Sequence, residues 1–590
     1  MEAIWKVHGL RADFYALGEE FNVDPVVARV IRNRGLETSE EFHRYLNADL
    51  SIQHDPFLMK DMDKACSLML EKINQGNNIR IISDYDVDGV MSNYILLVGL
   101  QSLGANVSYE IPDRMIDGYG INERIIRDAY RDGIDTIITC DNGIGAFDAI
   151  GLAKELGMTV IVTDHHEPPV IEDETGDLIK TFVKADAVVN PKRPDCGYPF
   201  KEICGAAVAY KFIKGMYQLM DKPWEDDYFI EMLGVATVCD VMPLKDENRA
   251  FVKKALSVFG KTENKGLKAL LQVNDLLGKK VSSYTFGFVI GPYINASGRL
   301  ESAKKGLELL LAETDSEALA MAEELKSINE TRKSMTEQGK KEAIELVETK
   351  YKDDTVLVIH MPELHESLAG IVAGRLKEQF NKPTLVFTST ESGQLKGSGR
   401  SIEAYDMHAK LSEHKELFVK MGGHPMAAGF TIEADNLELL RRRLNETHGL
   451  TSEDLIPVVM IDVAMPFSYA SPKLVRQLEL LEPYGNGNPK PVFAQKNLKV
   501  KKARFMGKDN QYIKLWFMDE EGLTIEAVDF NAKSFIDSIK MWFSEEECDK
   551  ILQGVPNEVI LDIIYYPDIN EYNGRVTVQL RPTYYRKHRE

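Results

Sequence analysis

The sequence predicts an α/β protein with a parallel-sheet domain, a long connecting helix, a smaller α/β domain and a C-terminal β-barrel. Apolar strand-like runs alternate with helix-like segments from about residue 46 to residue 305, which is typical of βαβ units. After Gly306, the stretch to residue 348 is rich in Glu, Lys, Ala and Leu, and it has no Pro or Gly before Gly339. Alternating apolar and polar residues at 512–517 and 576–580 indicate barrel strands.

Residues 1–45 are polar and helix-like and carry no evident chemistry. The parallel-sheet domain covers residues 46–305, and the connecting helix or helix pair covers 306–348. A second α/β unit at 349–450 opens with the apolar strand 356–359 and contains a cluster of glycines. The loop 482–489 is dense in turn-forming residues and lies within the last segment, 451–590, which holds the predicted barrel.

Length and composition limit the class of protein. A chain of 590 residues is too long for one hydrophobic core, and 44% hydrophobic with 28% charged residues is typical of a soluble globular protein. No apolar run approaches membrane-spanning length, and the first residues lack the apolar core of a signal peptide. The six cysteines form no CxxC pair, so neither a disulfide framework nor a zinc ribbon is indicated. We expect a cytoplasmic protein with no membrane contact.

The net charge of -21 contrasts with the basic charge usual in nucleic-acid binders. Binding depends on the local potential in a cleft rather than on the total charge. Two stretches, 496–504 and 581–589, are basic against the acidic average. They are either solvated surface or a nucleic-acid contact.

Acidic and imidazole groups follow four apolar runs that we predict to be parallel strands. The runs are residues 79–82, 137–140, 160–162 and 235–238, and the groups that follow them are Asp84, Asp86, Asp88, Asp141, His165 and Asp240. The carboxyl ends of parallel strands lie at one edge of a sheet, so these groups are expected to converge. So many carboxylates repel one another unless cations lie between them, and oxygen and imidazole ligands suit manganese or magnesium. The sequence therefore predicts a metal site with two ions.

The Asp-x-Asp-x-Asp-Gly pattern at 84–89 also matches the start of a calcium-binding EF-hand loop. An EF-hand requires Glu at the twelfth position and a helix before the loop. Here the twelfth position is Ile95, and a predicted strand precedes the loop. The EF-hand interpretation is therefore rejected.

Four segments resemble, in order and spacing, the motifs of the DHH phosphoesterase superfamily. They are Asp84-Tyr85-Asp86-Val87-Asp88-Gly89, Thr139-Cys140-Asp141-Asn142-Gly143, Asp164-His165-His166 and Val238-Cys239-Asp240-Val241-Met242-Pro243-Leu244. Further matches resemble its RecJ branch of single-stranded-DNA-specific exonucleases: Ile111-Pro112-Asp113-Arg114 with Gly118-Tyr119-Gly120, Cys204-Gly205-Ala206, Asn295-Ala296-Ser297-Gly298-Arg299, Gly422-Gly423-His424-Pro425 and residues 484–489. The resemblance covers nearly the whole chain.

The resemblance implies a DHH domain, a connecting helix, a DHH-associated domain and a C-terminal OB-fold. It also implies degradation of single-stranded DNA from the 5′ end to mononucleotides with manganese or magnesium, in repair and recombination. The partner is then single-stranded DNA, and we expect a monomer. A single-strand-binding protein or a helicase is a candidate protein partner, although no added C-terminal domain for such a contact is evident.

Two-metal phosphodiester hydrolysis suggests a role for each site residue. Asp86 and Asp88 would serve separate ions with Asp84 as an additional ligand, Asp141 would be shared, and His165 and Asp240 would complete the set. Asp164 would orient the loop or a histidine tautomer, and His166 would face the substrate phosphate. The resemblance places His424 at the phosphate from the opposite domain. The other candidate phosphate- or DNA-binding residues are Asn295, Arg299, Arg400, Ser401, Gly422 and Gly423.

Tyr512 and Trp516 could stack bases, or they could belong to the barrel core. Two positions depart from the family pattern. Tyr293 stands where Arg is common, and Leu364 precedes His365 where Trp is usual. Both departures could alter the grip on the strand.

Two alternative functions are open from the sequence. The first is a DHH phosphodiesterase that acts on short RNA oligonucleotides, cyclic dinucleotides or pyrophosphate. The C-terminal barrel and its basic strand argue against it, because a small substrate would not need them. The second is a non-catalytic DNA-binding scaffold, whose signature would be loss of metal ligands, and none of the six is lost.

Overall fold

The computed structural model describes residues 3–114, 116–118, 120–172, 177–572 and 574–589. The chain forms two compact units: one combines the segment up to Asn47 with the segment from Ile456 onward, and the other is Ala48–Leu455. Among the described residues, no helix is both long enough and apolar enough to cross a membrane.

The N-terminal segment is mostly helical, as predicted, but it begins with a strand. The elements are β1 (Ile4–Val7), α1 (Phe14–Phe21), α2 (Pro25–Asn33) and α3 (Ser39–Leu46). Helix α3 begins with a capping box in which Thr38 and Glu41 satisfy each other's backbone N–H groups. The strand pairs in parallel with residues Val458–Ile461 of the same unit.

The second unit opens with a parallel sheet. Its elements are α4 (Met62–Gln75), β2 (Asn78–Ser83), α5 (Val87–Ser102), β3 (Asn106–Glu110), α6 (Glu123–Arg131), β4 (Thr136–Cys140), α7 (Phe147–Glu155), β5 (Thr159–Thr163), the hairpin strands β6 (Val170–Glu172) and β7 (Leu178–Lys180), and β8 (Ala187–Val189). The sheet order is β3-β2-β4-β5-β8, with every pairing parallel. Strand β4 is buried along its whole length, as expected for a sheet covered on both faces. Asp84, Asp141 and Asp164 all follow the carboxyl ends of these strands.

Helices complete this domain. They are α8 (Gly205–Leu219), α9 (Ile230–Cys239), α10 (Asp246–Phe259), α11 (Lys265–Val273), α12 (Ser283–Thr285) and α13 (Gly291–Leu300), with a π-helical turn at Phe286–Ile290. The strand predicted at 235–238 is wrong, because these residues lie inside α9, and Asp240 is the C-cap of that helix. Helix α9 is buried almost all round, and a short apolar run does not distinguish a buried helix from a buried strand.

The predicted connecting element is two helices, α14 (Lys304–Leu311) and the 36-residue α15 (Asp315–Lys350). Thr314 caps α15 by accepting a hydrogen bond from the Glu317 N–H. The buried residues of α15, which include Ala318, Ala322, Leu325 and Ile328, recur at helical spacing.

The smaller α/β part contains β9 (Leu357–His360), α16 (Ala369–Phe380), β10 (Thr384–Ser389), β11 (Gln394–Arg400), α17 (Met407–Ser412), β12 (Phe418–His424), β13 (Ala427–Glu433) and α18 (Leu437–Glu446). Its sheet order is β12-β13-β11-β10-β9, and only the β9–β10 pairing is parallel. Gly397 of the predicted glycine cluster is required by packing, since an added Cβ would lie 2.4 Å from the Phe430 ring.

The C-terminal part of the first unit is a closed five-stranded barrel. This C-terminal part contains β14 (Val458–Ile461), β15 (Val463–Ala464), α19 (Pro472–Leu478), β16 (Phe493–Met506), β17 (Tyr512–Met518), β18 (Thr524–Asp529), α20 (Ala532–Trp542), α21 (Glu545–Gln553), β19 (Ile560–Tyr572) and β20 (Arg575–Lys587). The barrel order is β16-β17-β18-β20-β19, closed by the β16–β19 pairing. The predicted fold class, a mixed α/β chain with a C-terminal barrel, is confirmed.

Candidate metal centre

The six predicted metal ligands come together in the described structure. The Nε2 atom of His165 lies 3.0 Å from Asp141 Oδ1, 3.6 Å from Asp88 Oδ2 and 3.6 Å from Asp240 Oδ2. Asp84, Asp86 and Asp141 form a second group, in which one oxygen from each residue lies within 4.8 Å of the others. Asp141 is therefore placed between two groups of potential ligands.

Backbone N–H groups hold the Asp88 carboxylate. It accepts hydrogen bonds from Gly205 N at 2.6 Å and Ala206 N at 2.8 Å, at the first turn of α8. The N-terminus of a helix favours an anion because its N–H groups lack partners within the helix. Asp86 is the N-cap of α5 and accepts from Gly89 N at 3.1 Å. The sequence had indicated Asp86 and Asp88 as ligands but not the helix that holds Asp88.

Two glycines permit the close approach of the ligand-bearing segments. A Cβ on Gly205 would lie 2.6 Å from Asp141 Cβ, and one on Gly89 would lie 2.3 Å from the Asp84 carbonyl oxygen. Asp141 itself has a φ of 61°, in the left-handed region that non-glycine residues rarely occupy. Such a conformation persists only where the surrounding structure imposes it.

The electrostatics of the cluster require a positive charge. Burial, and then repulsion from neighbouring carboxylates, raises the pKa of Asp84, Asp141 and Asp240 well above the ordinary value. The same causes raise the pKa of Asp88 to about 6. Among the described residues, the buried atoms Asp84 Oδ1, Asp240 Oδ2 and His165 Nε2 make no hydrogen bond of suitable geometry, although Nε2 lies 3.0 Å from Asp141 Oδ1. Unpartnered carboxylate oxygens and an imidazole nitrogen are the ligands that Mn²⁺ or Mg²⁺ accepts, so the residues present fit such an ion.

Asp164 interacts with the histidine loop. Its carboxylate accepts hydrogen bonds from the N–H groups of Ile144, His165 and His166 at 2.9, 2.7 and 3.1 Å, and it lies 2.7 Å from His166 Nδ1. Although burial opposes it, the two histidines lower the pKa of Asp164. At His166, burial lowers the pKa, but the Asp164 carboxylate raises it more. The net effect raises the pKa of His166 to about 9. His166 is partly exposed, whereas His165 is buried.

The charge of Arg114 acts on two other arginines, Arg299 and Arg400. Burial and then Arg114 lower the pKa of Arg299, to about 10, and the same two causes lower the pKa of Arg400. Arg299 Nη1 donates to the Ser367 carbonyl oxygen at 2.6 Å, which joins α13 to the smaller α/β part. Asn295, half-buried, precedes Arg299 by one turn of α13. Arg114 was not among the predicted site residues, although its motif had been noticed.

The remaining predicted residues lie in the smaller α/β part. Gly422, Gly423 and His424 are exposed and form the end of strand β12 rather than a loop. Burial, then Arg400 and His408, lower the pKa of His424, which places the imidazole beside Arg400. Ser401 is buried, and its hydroxyl donates to the Tyr405 carbonyl oxygen at 2.5 Å, so this side chain holds the backbone.

The structure describes both residues that depart from the family pattern, but not one residue of a matching motif. Tyr293 is buried in the core, and its hydroxyl donates to Asn274 Oδ1 at 2.8 Å. Leu364 packs against helix α15, where it would lie 2.8 Å from a Cβ on Gly339. Tyr119 of the noticed Gly118-Tyr119-Gly120 motif is outside the described residues.

The barrel presents a basic and aromatic face within its own unit. On β16 and β17, Lys502 pairs with Trp516 and Arg504 pairs with Lys514. The ammonium groups of Lys502 and Lys514 lie 5.6 and 5.2 Å from the centre of the half-buried Trp516 ring. Side chains of β17 alternate between the core and this face, so Tyr512 and Trp516 are not fully enclosed.

Comparisons with known proteins agree with this arrangement. Three family models match successive parts of the chain: the DHH family N-terminal domain at 78–236, the DHHA1 domain at 353–449 and the RecJ OB domain at 461–583. The single-stranded-DNA-specific exonuclease RecJ of Bacillus subtilis (strain 168) is 35% identical over 569 residues, covering 96% of this chain and 68% of that protein. The protein of the same name from Escherichia coli (strain K12) is 30% identical over 580 residues, covering 94% and 95%.

A solved structure also resembles the whole chain. The crystal structure of RecJ in complex with Mn²⁺ from Thermus thermophilus matches with a TM-score of 0.81 and 26% identity, covering 100% of this chain and 80% of that one. A second structure of that protein, in complex with Mg²⁺, matches with a TM-score of 0.75 and 25% identity, covering 100% of this chain and 79% of that one. Both ions are those expected from the ligand set. Domain matches, identity along the chain and architecture all agree, and the chain therefore belongs to the RecJ family of DHH phosphoesterases.

Proposed function

We propose that this chain is a single-stranded-DNA-specific exonuclease that hydrolyses phosphodiester bonds from the 5′ end and releases mononucleotides. The observation that carries the proposal is the convergence of six metal-ligand side chains in one unit that also contains Arg114, Arg299 and Arg400, where the charge of Arg114 acts on both other arginines. Metal ions held by such ligands would promote hydrolysis, and guanidinium groups bind phosphate in a planar, bidentate manner. The names of the relatives at 35% and 30% identity support the choice of single-stranded DNA.

Two divalent cations would be held by the two ligand groups. Asp84 and Asp86 would hold one, Asp88, His165 and Asp240 would hold the other, and Asp141 would be shared, because its carboxylate belongs to both groups. When bound, the cations supply Lewis acidity toward the phosphoryl oxygens and toward the attacking water.

Asp164 would position His166. It lies against Nδ1 of that ring, so Nε2 is the ring atom directed away from Asp164, and Nε2 would face a substrate phosphate. Asp164 also accepts hydrogen bonds from three backbone N–H groups, and these bonds fix the loop that bears both histidines. We infer that removal of this carboxylate would leave the histidines present but misoriented.

The substrate terminus would be bound by residues of two facing parts of the same unit. Arg299 and Asn295 come from α13, while Arg400 and His424 come from β11 and β12, with Gly422 and Gly423 exposing backbone beside them. Charge-assisted hydrogen bonds to a terminal phosphate are stronger than neutral ones. Arg114 joins this set because its charge acts on both Arg299 and Arg400.

The barrel would supply a separate contact with the single strand. Lys502 is exposed beside the half-buried Trp516, although Lys514 on the same face is paired with Glu526, and a positive charge beside an aromatic ring suits a single strand without sequence preference. We further propose a division into a helical segment (1–45), a DHH domain (46–305), a connecting helix (306–348), a DHH-associated domain (349–450) and an OB-fold domain (451–590). A cytoplasmic location, a monomeric state and contacts with single-strand-binding protein or a helicase belong to the same proposal.

The test uses 5′-labelled and 3′-labelled single-stranded DNA, duplex DNA and a dinucleotide, each incubated with the protein and Mn²⁺. Early release of labelled mononucleotide from the 5′-labelled strand, with the duplex left intact, is the expected result. Asp141→Ala serves as the matched variant and should abolish hydrolysis of all substrates. Preference for the dinucleotide would instead indicate a small-substrate phosphodiesterase. DNA binding without any Mn²⁺ binding or hydrolysis would indicate a scaffold.

A further inference from the structure

Two large aromatic side chains lie stacked on the surface of the DHH domain. Tyr284 and Phe288 are 65% and 62% exposed. Their ring centres are 4.7 Å apart, and the ring planes differ by 16°. Two neighbouring exposed aromatic rings are more informative than a single one, and here they form a short stack whose outer ring faces remain exposed.

The pair lies on the same helical run as two of the phosphate-binding candidates. The helical run is continuous from Ser283 to Leu300 through the π-helical turn, a feature that is frequent at functional sites. Asn295 and Arg299 are one turn apart on α13, and Phe288 lies in the π-helical turn directly before that helix. Tyr284 and Arg299 are fifteen residues apart, which is roughly 22 Å along the axis.

The middle of this helical run packs against the segment that carries Asp240 of the metal centre. Cys239, next to Asp240, donates from Sγ to the Phe286 carbonyl oxygen at 3.4 Å. A Cβ on Gly291 would lie 2.5 Å from the same sulfur, so helix and metal-bearing segment are in close contact. Phe286 is buried, and the centre of its ring lies 4.6 Å from the centre of the Phe259 ring. Along the helix the order is therefore Arg299, then the contact with the Asp240 segment, then the aromatic pair.

The charge of this segment favours a polyanion. The chain contains 92 acidic residues in 590, yet residues 276–300 contain none. The same segment contains Lys279, Lys280 and Arg299. A stretch with aromatic faces, positive charge and no carboxylate is complementary to a single-stranded nucleic acid.

We propose that Tyr284 and Phe288 form a stacking platform for bases of the single strand, on the far side of the scissile bond from Arg299. The inference rests on the proposed function and specifies where the undegraded part of the strand is held. With the terminal phosphate at Arg299 and the scissile bond at the metal centre, the next nucleotides reach the outer end of the same helix. A dinucleotide is too short to reach it.

The test compares steady-state hydrolysis of a twelve-nucleotide single strand and of a 5′-phosphorylated dinucleotide by the full chain with Mn²⁺. The double variant Tyr284→Ala/Phe288→Ala should raise KM for the longer strand about tenfold or more, because loss of one stacked base weakens binding by about that factor. Its kinetics on the dinucleotide should stay unchanged. Tyr130→Ala, at an exposed tyrosine on α6, is the matched control and should change neither substrate.

Two further arms separate stacking from other roles. Tyr284→Phe with Phe288→Tyr keeps both rings and should restore the KM of the starting protein. A twelve-nucleotide strand with abasic residues after the second nucleotide should bind the starting protein more weakly than the intact strand, and the loss of affinity should be smaller for the alanine variant. An unchanged KM in the alanine variant, or an equal loss on both substrates, would overturn the platform. Failure of the starting protein to degrade any strand would instead reject the proposed function.

Discussion

Gly205→Ala tests how closely the metal centre depends on the packing of α8. The new Cβ would lie 2.6 Å from Asp141 Cβ and 3.0 Å from Asp141 Cγ, closer than real Cβ contacts occur. Asp141 has a φ of 61° and little freedom to relax, so the carboxylate must move. Overpacking of this kind costs about 1–3 kcal/mol, and we expect Mn²⁺ affinity to fall at least tenfold.

Gly151→Ala is the matched control for this substitution. Gly151 lies in helix α7, and nothing stands within 4 Å of the position of its Cβ. Alanine should stabilise that helix by about 1 kcal/mol and leave Mn²⁺ affinity unchanged. Calorimetric titration of Mn²⁺ and thermal unfolding would be measured for both variants. Retention of full Mn²⁺ affinity in Gly205→Ala would refute the reasoning.

Three other predictions concern pH, stability and DNA binding. Because Asp88, with its pKa of about 6, must lose a proton before it can bind a cation, apparent Mn²⁺ affinity should fall about fivefold or more from pH 6 to pH 5; titrations giving a constant affinity over this range would contradict the assignment. Lys211 and Glu247 form a fully buried ion pair at 2.7 Å. Lys211→Met should therefore lower the free energy of unfolding, measured in urea, by about 3–5 kcal/mol, and adding Glu247→Leu should recover part of that loss. Strictly additive losses from the two substitutions would argue against a stabilising interaction between Lys211 and Glu247. Arg400→Ala should reduce the slope of log affinity for single-stranded DNA against log salt by about one, while Arg127→Ala, on α6, should not; equal slopes for the two variants would exclude Arg400 as a phosphate contact.

The sequence predicted the convergence of the site because parallel strands place their carboxyl ends at one edge. This argument holds for Asp84, Asp141 and Asp164, which follow β2, β4 and β5. It fails for Asp240, which reaches the same place at the end of a buried helix. An apolar run with no polar face is compatible with either element, so periodicity alone could not decide.

Tertiary contacts explain what the sequence could not reveal. The N–H groups that hold Asp88 come from Gly205 and Ala206, more than a hundred residues away, and no local pattern links them. The closeness of Arg114 to Arg400 depends on how two parts of the unit pack. By contrast, the barrel was predictable, because alternation along β17 is a local property of the chain.

The metal centre is tested most directly by the anomalous difference map of a crystal grown with Mn²⁺. Our account predicts two peaks, one bordered by Asp84, Asp86 and Asp141 and the other by Asp88, His165 and Asp240. A map with no peak beside Asp141, or with manganese bound only elsewhere, would contradict the claim that these side chains form a divalent-cation site.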